Sequence, residues 1–307
     1  MDELVQGVKG MESFLRRRDL PGLLRAAKSA SDLQYLITVS SNLRRGRALI
    51  LNTVEQLEAS VLSHLQSICP VIYTVGPLQL LHKRMNAKGS SAQSPTGNAS
   101  LWQEDRSCMA WLDRQPRKSV VYVSFGSITV VSREALVEFW HGLANSGHPF
   151  LWVIRPDMIQ GGVDGNQIVP GETTVEKCCL VEWAPQEEVL AHPAVGCFLT
   201  HSGWNSTLES IAAGVPMVCW PFFADQQINS RFLSKVWGVG VDMKDMCGRS
   251  DVERMVRNVM DGEGADKFRR TVREAGEMVK MSAEGGGSSD MNLQKLIQHI
   301  RSLSVRG

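Results

Sequence analysis

The chain has 307 residues, of which 43% are hydrophobic and 21% are charged, and its formal net charge is +1. This composition is typical of a globular protein of about two domains, and the nearly neutral charge argues against a nucleic-acid-binding surface. No membrane span is expected, because no apolar run approaches roughly 20 residues, and the opening MDELVQGVKG lacks the features of a signal peptide.

Residues 1–78 are predicted to form the last part of an α/β unit. RALILNTVEQLE has the pattern of a buried strand followed by a helix, and VIYTVGPL that of a second apolar strand. Residues 79–117 are predicted to be a linker, because the stretch NAKGSSAQSPTGNAS is rich in Ser, Gly, Asn and Pro and has almost no apolar content.

From residue 118 onward, apolar strands alternate with helical patterns. The predicted strands are SVVYVSFGS, PFLWVIRP, CCLVEWAP, VGCFLT and PMVCWP. The predicted helices cover about 132–146, 186–192, 205–213, 227–236, 251–260, 265–283 and 290–303. This alternation predicts an α/β fold in which helices cover both faces of a parallel sheet. We expect one domain at residues 118–289 and a C-terminal helix at 290–307.

The cysteines and the glycine motifs exclude several classes of site. The seven cysteines form no CxxC pair, and adjacent Cys178 and Cys179 have poor geometry for a mutual disulfide, so free thiols in a reducing, cytoplasmic location are expected. The sequence has no GxxxxGK[ST] loop, and WGVGVD contains only part of GxGxxG, which disfavours NTPase and NAD chemistry. A DxD pair that would hold a metal against a diphosphate is also absent.

Ligands of open α/β sheets bind where strands end and the following helices begin. In SFGSITV, Gly126 permits close backbone approach and Ser127 offers a hydroxyl, although both would also suit a plain turn. In WPFFADQQ, Asp225 and Gln226 would suit a ligand rich in hydroxyls, although an acidic residue is also favourable at a helix N-terminus.

The junction LTHSGWNSTLESIAAG is the most polar of the three. His201, Ser202 and Gly203 form its predicted turn, and Asn205 or Ser206 is predicted to cap the helix. A helix N-terminus attracts phosphate through its N–H groups and its partial positive charge. Because a single residue would be enough to cap the helix, the surplus of polar side chains favours an anion site.

Two further residues have open interpretations at this point. Trp183 lies at a strand end, where its indole would either stack on a flat base or pack in the core. Glu209 lies one turn into the helix after the polar junction, where its carboxylate would either accept ribose hydroxyls or remain solvated.

The stretch from Trp183 to Gln226, WAPQEEVLAHPAVGCFLTHSGWNSTLESIAAGVPMVCWPFFADQ, resembles the donor-binding box of plant family-1 UDP-dependent glycosyltransferases. The resemblance extends to WLDRQPRKSVVYVSFGS, FLWVIRPD, RALILNTVEQLE and IYTVGPL, and so covers essentially the whole chain. It implies a GT-B type fold, with a complete Rossmann-like C-terminal donor domain at 118–289. Residues 1–78 would then be only the end of the N-terminal acceptor domain.

The resemblance also implies how the nucleoside of UDP is bound. Trp183 would stack on the uracil, and backbone groups of Ala184 would contact the edge of the base. Gln186 and Glu209 would bind the ribose hydroxyls.

The diphosphate and the sugar would lie at the polar junction and beyond it. The diphosphate would be held by the turn at Gly203 and by side chains on both sides of it, namely Ser127, His201, Asn205 and Ser206. Trp204 would lie against the sugar, whose hydroxyls Asp225 and Gln226 would bind. Gln at the last position implies UDP-glucose as the co-substrate, and no metal cofactor is expected.

The expected activity is transfer of glucose, with inversion, to a hydroxyl of a small lipophilic metabolite. The general base that the resemblance implies is a His near the start of the acceptor domain, oriented by an Asp, and neither has a matching position here. We therefore expect weak or no transfer by this truncated chain, or alternatively a non-catalytic module that binds nucleotide sugars. Uncovered apolar faces in residues 1–78 are expected to cause self-association.

Overall fold

The computed structural model describes residues 1–88, 102–160 and 177–304. The chain divides into two compact units. The first, here called the terminal unit, comprises Met1–Pro95 and Gly276–Gly307, and the second, the sheet unit, comprises Thr96–Ala275. Each unit is described by itself.

The strands of the described ranges are β1 (Leu49–Leu51), β2 (Ile72–Thr74), β3 (Val120–Ser124), β4 (Phe150–Val153), β5 (Cys178–Val181), β6 (Val195–Thr200), β7 (Met217–Cys219) and β8 (Gly240–Asp242). The α-helices of these ranges are α1 (Gly22–Ala26), α2 (Gln34–Asn42), α3 (Glu55–Gln66), α4 (Leu78–Lys88), α5 (Ser107–Leu112), α6 (Arg133–Ser146), α7 (Gln186–Ala191), α8 (Trp204–Ala213), α9 (Gln226–Arg231), α10 (Arg249–Met260), α11 (Gly262–Ala283) and α12 (Ser288–Ser304). A π-helical turn, Phe232–Val236, continues α9.

The sheet unit is built on a parallel sheet with the strand order β5-β4-β3-β6-β7-β8. The predicted alternation of strands and helices is therefore confirmed. The register aligns Ser124 with Thr200 and Thr200 with Cys219, so the carboxyl ends of β3, β6 and β7 lie at one edge.

Strand β8 was not predicted, because WGVGVD was considered only as an incomplete dinucleotide motif. A Cβ on Gly240 would lie well inside van der Waals contact of the Met217 carbonyl oxygen on the paired strand β7. The glycine is thus required because two strands approach each other closely, and it has no part in a phosphate-binding loop.

Aromatic side chains form much of the core of the sheet unit. The Phe125 ring contacts those of Phe139, Trp152 and Trp220 at centroid distances of 5.3–6.3 Å. Helix α6 begins after Ser132, whose hydroxyl accepts the N–H of Ala135, and it buries an apolar face against the sheet. Because every residue of β3, β4, β6 and β7 is buried, this sheet is covered on both faces.

The terminal unit has a smaller sheet, in which β1 and β2 pair in parallel. A small apolar cluster beside it comprises Val75, Leu81, Ala283 and Leu296. Arg84 on α4 donates to the Ala283 carbonyl at 2.8 Å and pairs with the Asp290 carboxylate.

The prediction of a linker over 79–117 is wrong at both of its ends, where α4 and α5 lie. The leucines of α4 are spaced for a helix, and Leu81 is buried in the small apolar cluster. The stretch NAKGSSAQSPTGNAS, which suggested the linker, lies largely at 89–101, outside the described residues.

All seven cysteines are free thiols, as predicted. None of the helices in the described part of the chain combines the length and the apolar composition that crossing a bilayer requires.

Candidate functional site

The residues predicted to bind a ligand follow strands of the sheet unit at their carboxyl ends. They are Ser127 after β3, the segment Trp183, Ala184 and Gln186 after β5, the segment His201, Gly203, Trp204, Asn205, Ser206 and Glu209 after β6, and the pair Asp225 and Gln226 after β7. Because the strands are parallel, these positions share one edge of the sheet.

The imidazole of His201 packs between two glycine backbones. A Cβ on Gly126 or on Gly203 would lie well inside van der Waals contact of His201 Nε2, and Gly126 has a left-handed φ of +79°. The loop after β3 therefore touches the loop after β6. This contact brings Ser127, the exposed neighbour of Gly126, close to the polar junction.

His201 is neutral at pH 7. It is 9% exposed, and burial lowers its pKa to about 4, which outweighs the opposing effect of the Asp225 charge. Within the described part of the chain, Nδ1 is buried without a hydrogen-bond partner. A neutral imidazole carries one N–H, which can donate a hydrogen bond to an anion.

The N-cap of helix α8 lies two or three residues before the predicted one. The N-cap is Gly203, so the prediction that Asn205 or Ser206 caps the helix is wrong. These two residues lie in the first turn of the helix, where Ser206 is buried and Asn205 is exposed. Because the N-cap is a glycine, it supplies no side-chain cap to the positive end of the helix, which lies at the sheet edge.

Three of the predicted residues meet in one hydrogen-bonded cluster. Nε2 of Gln186, the first residue of α7, donates to Glu209 Oε2 at 2.6 Å and to Ser206 Oγ at 2.9 Å. The residues predicted to bind ribose thus contact a residue predicted to bind phosphate.

The sequence interpretation missed Tyr122, the fourth member of this cluster. Its hydroxyl donates to Gln186 Oε1 at 3.2 Å. Tyr122 lies on β3 and is 1% exposed, and burial raises its pKa, so the phenol keeps its proton. Its position in an apolar strand suggested only a core role, and no local signal distinguished it.

Trp183 is half-buried, which leaves part of its indole accessible. The indole lies beside Trp102, with ring centroids 6.3 Å apart and an interplanar angle of 32°. The Trp183 carbonyl accepts the N–H of Asp105 at 2.9 Å. Ala184 is buried, so its contribution to a ligand would come from its backbone. Trp102 was also missed, because it lies in the predicted linker.

The loop after β7 holds Gln226 firmly and leaves Asp225 exposed. Gln226 Oε1 accepts the N–H groups of Phe222 at 2.8 Å and of Phe223 at 3.0 Å. This directs the amide oxygen inward, so the amide nitrogen is the group that would contact a ligand. Asp225 is the N-cap of α9.

Trp204 lies at the start of α8 and is partly exposed. Its ring centroid is 6.2 Å from that of Trp237.

Two His–Asp pairs lie at the opposite edge of the sheet. His148 Nε2 is 3.1 Å from Asp261 Oδ1, and His192 Nε2 is 3.1 Å from Asp113 Oδ1. Both histidines precede the amino ends of their strands, β4 and β6. These pairs are therefore remote from the candidate site.

A sequence model described as "UDP-glucoronosyl and UDP-glucosyl transferase" matches residues 93–269. The chain is 57% identical to myricetin 3-O-rhamnoside 1,2-glucosyltransferase UGT709G2 of Crocosmia x crocosmiiflora, over 99% of this chain and 63% of the relative. It is 51% identical to 7-deoxyloganetic acid glucosyltransferase of Catharanthus roseus, over 99% of this chain and 64% of the relative.

A solved structure also matches this chain. The crystal structure of Os79 from O. sativa in complex with UDP superposes with a TM-score of 0.81 at 34% identity, covering 95% of this chain and 64% of that one. The chain spans less than two thirds of the length of these relatives.

Proposed function

Because the chain belongs to the plant UDP-glycosyltransferases, the family of UDP-glucoronosyl and UDP-glucosyl transferases, we propose that its sheet unit binds the sugar donor UDP-glucose. The predicted family and the predicted GT-B type α/β fold are confirmed. The observation that carries the proposal is the convergence of a neutral buried imidazole, a helix N-terminus with a glycine N-cap and the Gln186–Glu209–Ser206 cluster at one edge of the sheet.

The nucleoside of the donor would lie between Trp183 and Glu209. The accessible part of the Trp183 indole would stack on the uracil, with the backbone of Ala184 at the base edge. Gln186 and Glu209 would bind the ribose hydroxyls. The Glu209 carboxylate accepts hydrogen bonds, and the Gln186 amide both donates and accepts them. Their mutual hydrogen bond supports this assignment, since it holds both groups in place before the nucleotide arrives.

The diphosphate would lie at the N-terminus of α8. The helix end contributes partial positive charge, and Ser127, Asn205 and Ser206 contribute donors beside it. His201 would donate one hydrogen bond as a neutral imidazole. When the glycosidic bond breaks, these fixed groups would stabilise the developing charge on the β-phosphate without reorganising, and without a metal ion.

The sugar would lie between Trp204 and the loop after β7. Asp225 would accept hydroxyl protons, and the amide nitrogen of Gln226 would donate to a hydroxyl. We propose glucose because both relatives described above are named as glucosyltransferases and because Gln226 occupies the last position of the donor box. The acceptor would be a small lipophilic metabolite with a free hydroxyl.

In the proposed reaction, the acceptor oxygen attacks the anomeric carbon and forms the new glycosidic bond with inversion. The bond from that carbon to the β-phosphate oxygen breaks, and UDP leaves with the electron pair. The acceptor proton passes to a base. The two His–Asp pairs of the sheet unit lie at the wrong edge for this role. We therefore propose that the sheet unit contributes donor binding and leaving-group stabilisation, and that this chain assayed alone transfers glucose weakly or not at all.

Calorimetry with UDP tests donor binding directly. We expect Trp183→Ala and Glu209→Ala each to lower the affinity for UDP by about tenfold or more. The first removes stacking, and the second removes a charged hydrogen-bond acceptor. The exposed Glu182→Ala, which removes the same charge beside Trp183, is the matched control and is expected to leave the affinity unchanged. Unchanged affinity in both site variants would contradict the assignment.

A turnover assay with UDP-glucose and a panel of phenols and terpene alcohols distinguishes two functions. Transfer would identify a glucosyltransferase, whereas UDP binding without transfer would identify a nucleotide-sugar-binding module. Full activity of this chain alone would contradict the proposal that it transfers glucose weakly or not at all. Whatever transfer is measured is expected to be the same with and without EDTA, and its loss in EDTA would contradict transfer without a metal ion.

We also propose self-association through the terminal unit and a cytoplasmic location. Exposed apolar side chains on α2, among them Tyr35, Ile37 and Val39, support the first. The seven free thiols support the second, since they suit a reducing compartment.

A further inference from the structure

One buried side chain, Asn229 on α9, joins two loops of the candidate site. Its Nδ2 donates to the Ser202 carbonyl oxygen at 3.0 Å and to Asp225 Oδ2 at 2.8 Å. Asn229 is 7% exposed, so both hydrogen bonds are largely shielded from water. A single NH₂ group therefore connects the loop proposed to bind phosphate with the carboxylate proposed to bind sugar.

Both partners of Asn229 need to be held in place. Ser202 is fully buried and has a φ of +64°, a left-handed conformation that is strained for a residue other than glycine. Asp225 is exposed and follows Ala224, whose φ is +54°. The hydrogen bonds from Asn229 satisfy the Ser202 carbonyl and restrict the rotamers of the Asp225 carboxylate.

Asn229 itself is placed on a rigid support. Lys244 Nζ donates to the Gln227 carbonyl at 3.1 Å and lies 3.3 Å from Asp242 Oδ2. Ser230 Oγ donates to Asp242 Oδ1 at 2.7 Å. These contacts fix α9 against the end of β8, so a side chain on this helix is held more precisely than one on a free loop.

We propose that Asn229 is a positioning residue that fixes the Asp225 carboxylate relative to the phosphate loop, and thereby sets how well the site binds the sugar of a nucleotide sugar. The proposal rests on the proposed function and adds a residue that lies outside the donor box. Asn229 acts through Asp225 and does not itself touch the donor.

The test compares UDP with UDP-glucose by calorimetry on the full chain. In Asn229→Ala, we expect UDP affinity to change by less than about threefold, and the ratio of the UDP-glucose Kd to the UDP Kd to rise about tenfold, the size of a lost hydrogen bond to a charged group. Ser234→Ala, which removes a hydrogen bond from a side chain to a backbone carbonyl farther along the same helical segment, is the matched control and should leave the ratio unchanged.

A double-mutant cycle separates positioning from general destabilisation. In an Asp225→Ala background, Asn229→Ala should have no further effect on the Kd ratio, because the carboxylate it positions is gone. An equal rise of the ratio in both backgrounds would overturn the proposal, as would a lower Tm with an unchanged ratio.

If the alanine variant does not fold, Asn229→Leu serves in its place, because it keeps the approximate size of the side chain and removes the donor without adding a charge. The same rise of the Kd ratio is expected, and an unchanged ratio overturns the proposal. Failure of the unmodified chain to bind UDP would instead contradict the proposed function, so the two failures are distinguishable.

Discussion

The two units of the chain differ in how completely they bury their sheets. In the sheet unit, every residue of the central strands β3 and β6 is buried. In the terminal unit, the sheet has two strands, and Ile50 in the middle of β1 is 53% exposed. A parallel sheet is stable when both faces are covered, and among the described residues the sheet unit meets this condition more fully than the terminal unit.

The same difference bears on where the proposed donor site lies. The proposed donor-binding residues all lie in the sheet unit, at loops supported by buried strands. Preorganised hydrogen bonds need such support, because a loop that moves loses the geometry that stabilises a developing charge. We expect substitutions at these loops to affect donor binding and substitutions in the terminal unit to leave it unchanged.

The largest effect is expected from Gly126→Ala. The added Cβ would collide with the His201 imidazole in a left-handed backbone, and we expect a loss of about 3 kcal/mol in unfolding free energy together with loss of measurable UDP binding. Denaturant unfolding and calorimetry measure the two effects.

Two other glycines separate the causes of this effect. Gly203→Ala collides with the same ring at an ordinary φ, so it should also abolish binding. Gly147→Ala has the same positive φ with open space around its Cβ, and should cost about 1 kcal/mol without changing the UDP affinity. Equal behaviour of Gly126→Ala and Gly147→Ala would refute the close contact with His201.

The next largest effect is expected in the pH dependence of stability. The pKa of His201 is about 4 in the folded state and 6.5 in the reference state, so the unfolded chain takes up this proton first as pH falls. Stability is therefore expected to decline between about pH 6.5 and pH 4, by up to about 3 kcal/mol relative to His201→Gln. Urea unfolding of both proteins at pH 7, 5.5 and 4.5 measures the difference. Parallel pH profiles would contradict a buried neutral imidazole.

A smaller effect is expected from Tyr122→Phe. Loss of the hydroxyl removes a partner of Gln186 Oε1 and frees the amide that holds Glu209, so UDP should bind about tenfold more weakly. The affinity for 2′-deoxy-UDP should fall less than the affinity for UDP, because 2′-deoxy-UDP lacks one hydroxyl that this cluster is proposed to bind.

Tyr73→Phe is the matched control in the terminal unit. It removes a hydrogen bond to His299 Nδ1 of 2.9 Å and should leave UDP affinity unchanged. If Tyr122→Phe and Tyr73→Phe lowered the affinity for UDP equally, the proposal that the sheet unit alone binds the donor would be wrong.

The smallest effect on donor binding is expected from the surface of the terminal unit. The triple variant Tyr35→Gln, Ile37→Gln and Val39→Gln should reduce self-association, because it removes exposed apolar side chains from α2. UDP affinity should stay within about twofold, since these residues lie outside the sheet unit. Light scattering over a concentration series measures association, and Val236→Gln, an exposed apolar position in the sheet unit, is the control. A chain that is monomeric at all concentrations before substitution would contradict the proposal.

Most elements of the sheet unit were predictable, because hydrophobic periodicity is a local property of the chain. The predictions failed where local pattern and tertiary role differ. β8 was missed because its glycines were considered only as part of a dinucleotide motif, although Gly240 is required by the close approach of Met217. Helix α4 was missed because the polar stretch after it dominated the interpretation of residues 79–117.

Local sequence patterns were also insufficient to predict the candidate site fully. Strand ends followed by polar residues indicated where a ligand would bind, but the roles of Tyr122 and Asn229 depend on partners 64 and 27 residues away in the chain. The helix cap was assigned wrongly because Asn205 and Ser206 are good capping residues, whereas the backbone places Gly203 at the N-cap.

The sequence by itself determined the parallel α/β arrangement and the edge of the sheet at which the polar residues collect, because both follow from the order of apolar strands and the residues that end them. Only the tertiary structure decided that His201 is neutral, that Gln186 pairs with Glu209, and that Asn229 bridges two loops. These properties arise from burial and from hydrogen bonds between segments distant in sequence, and no local pattern encodes them.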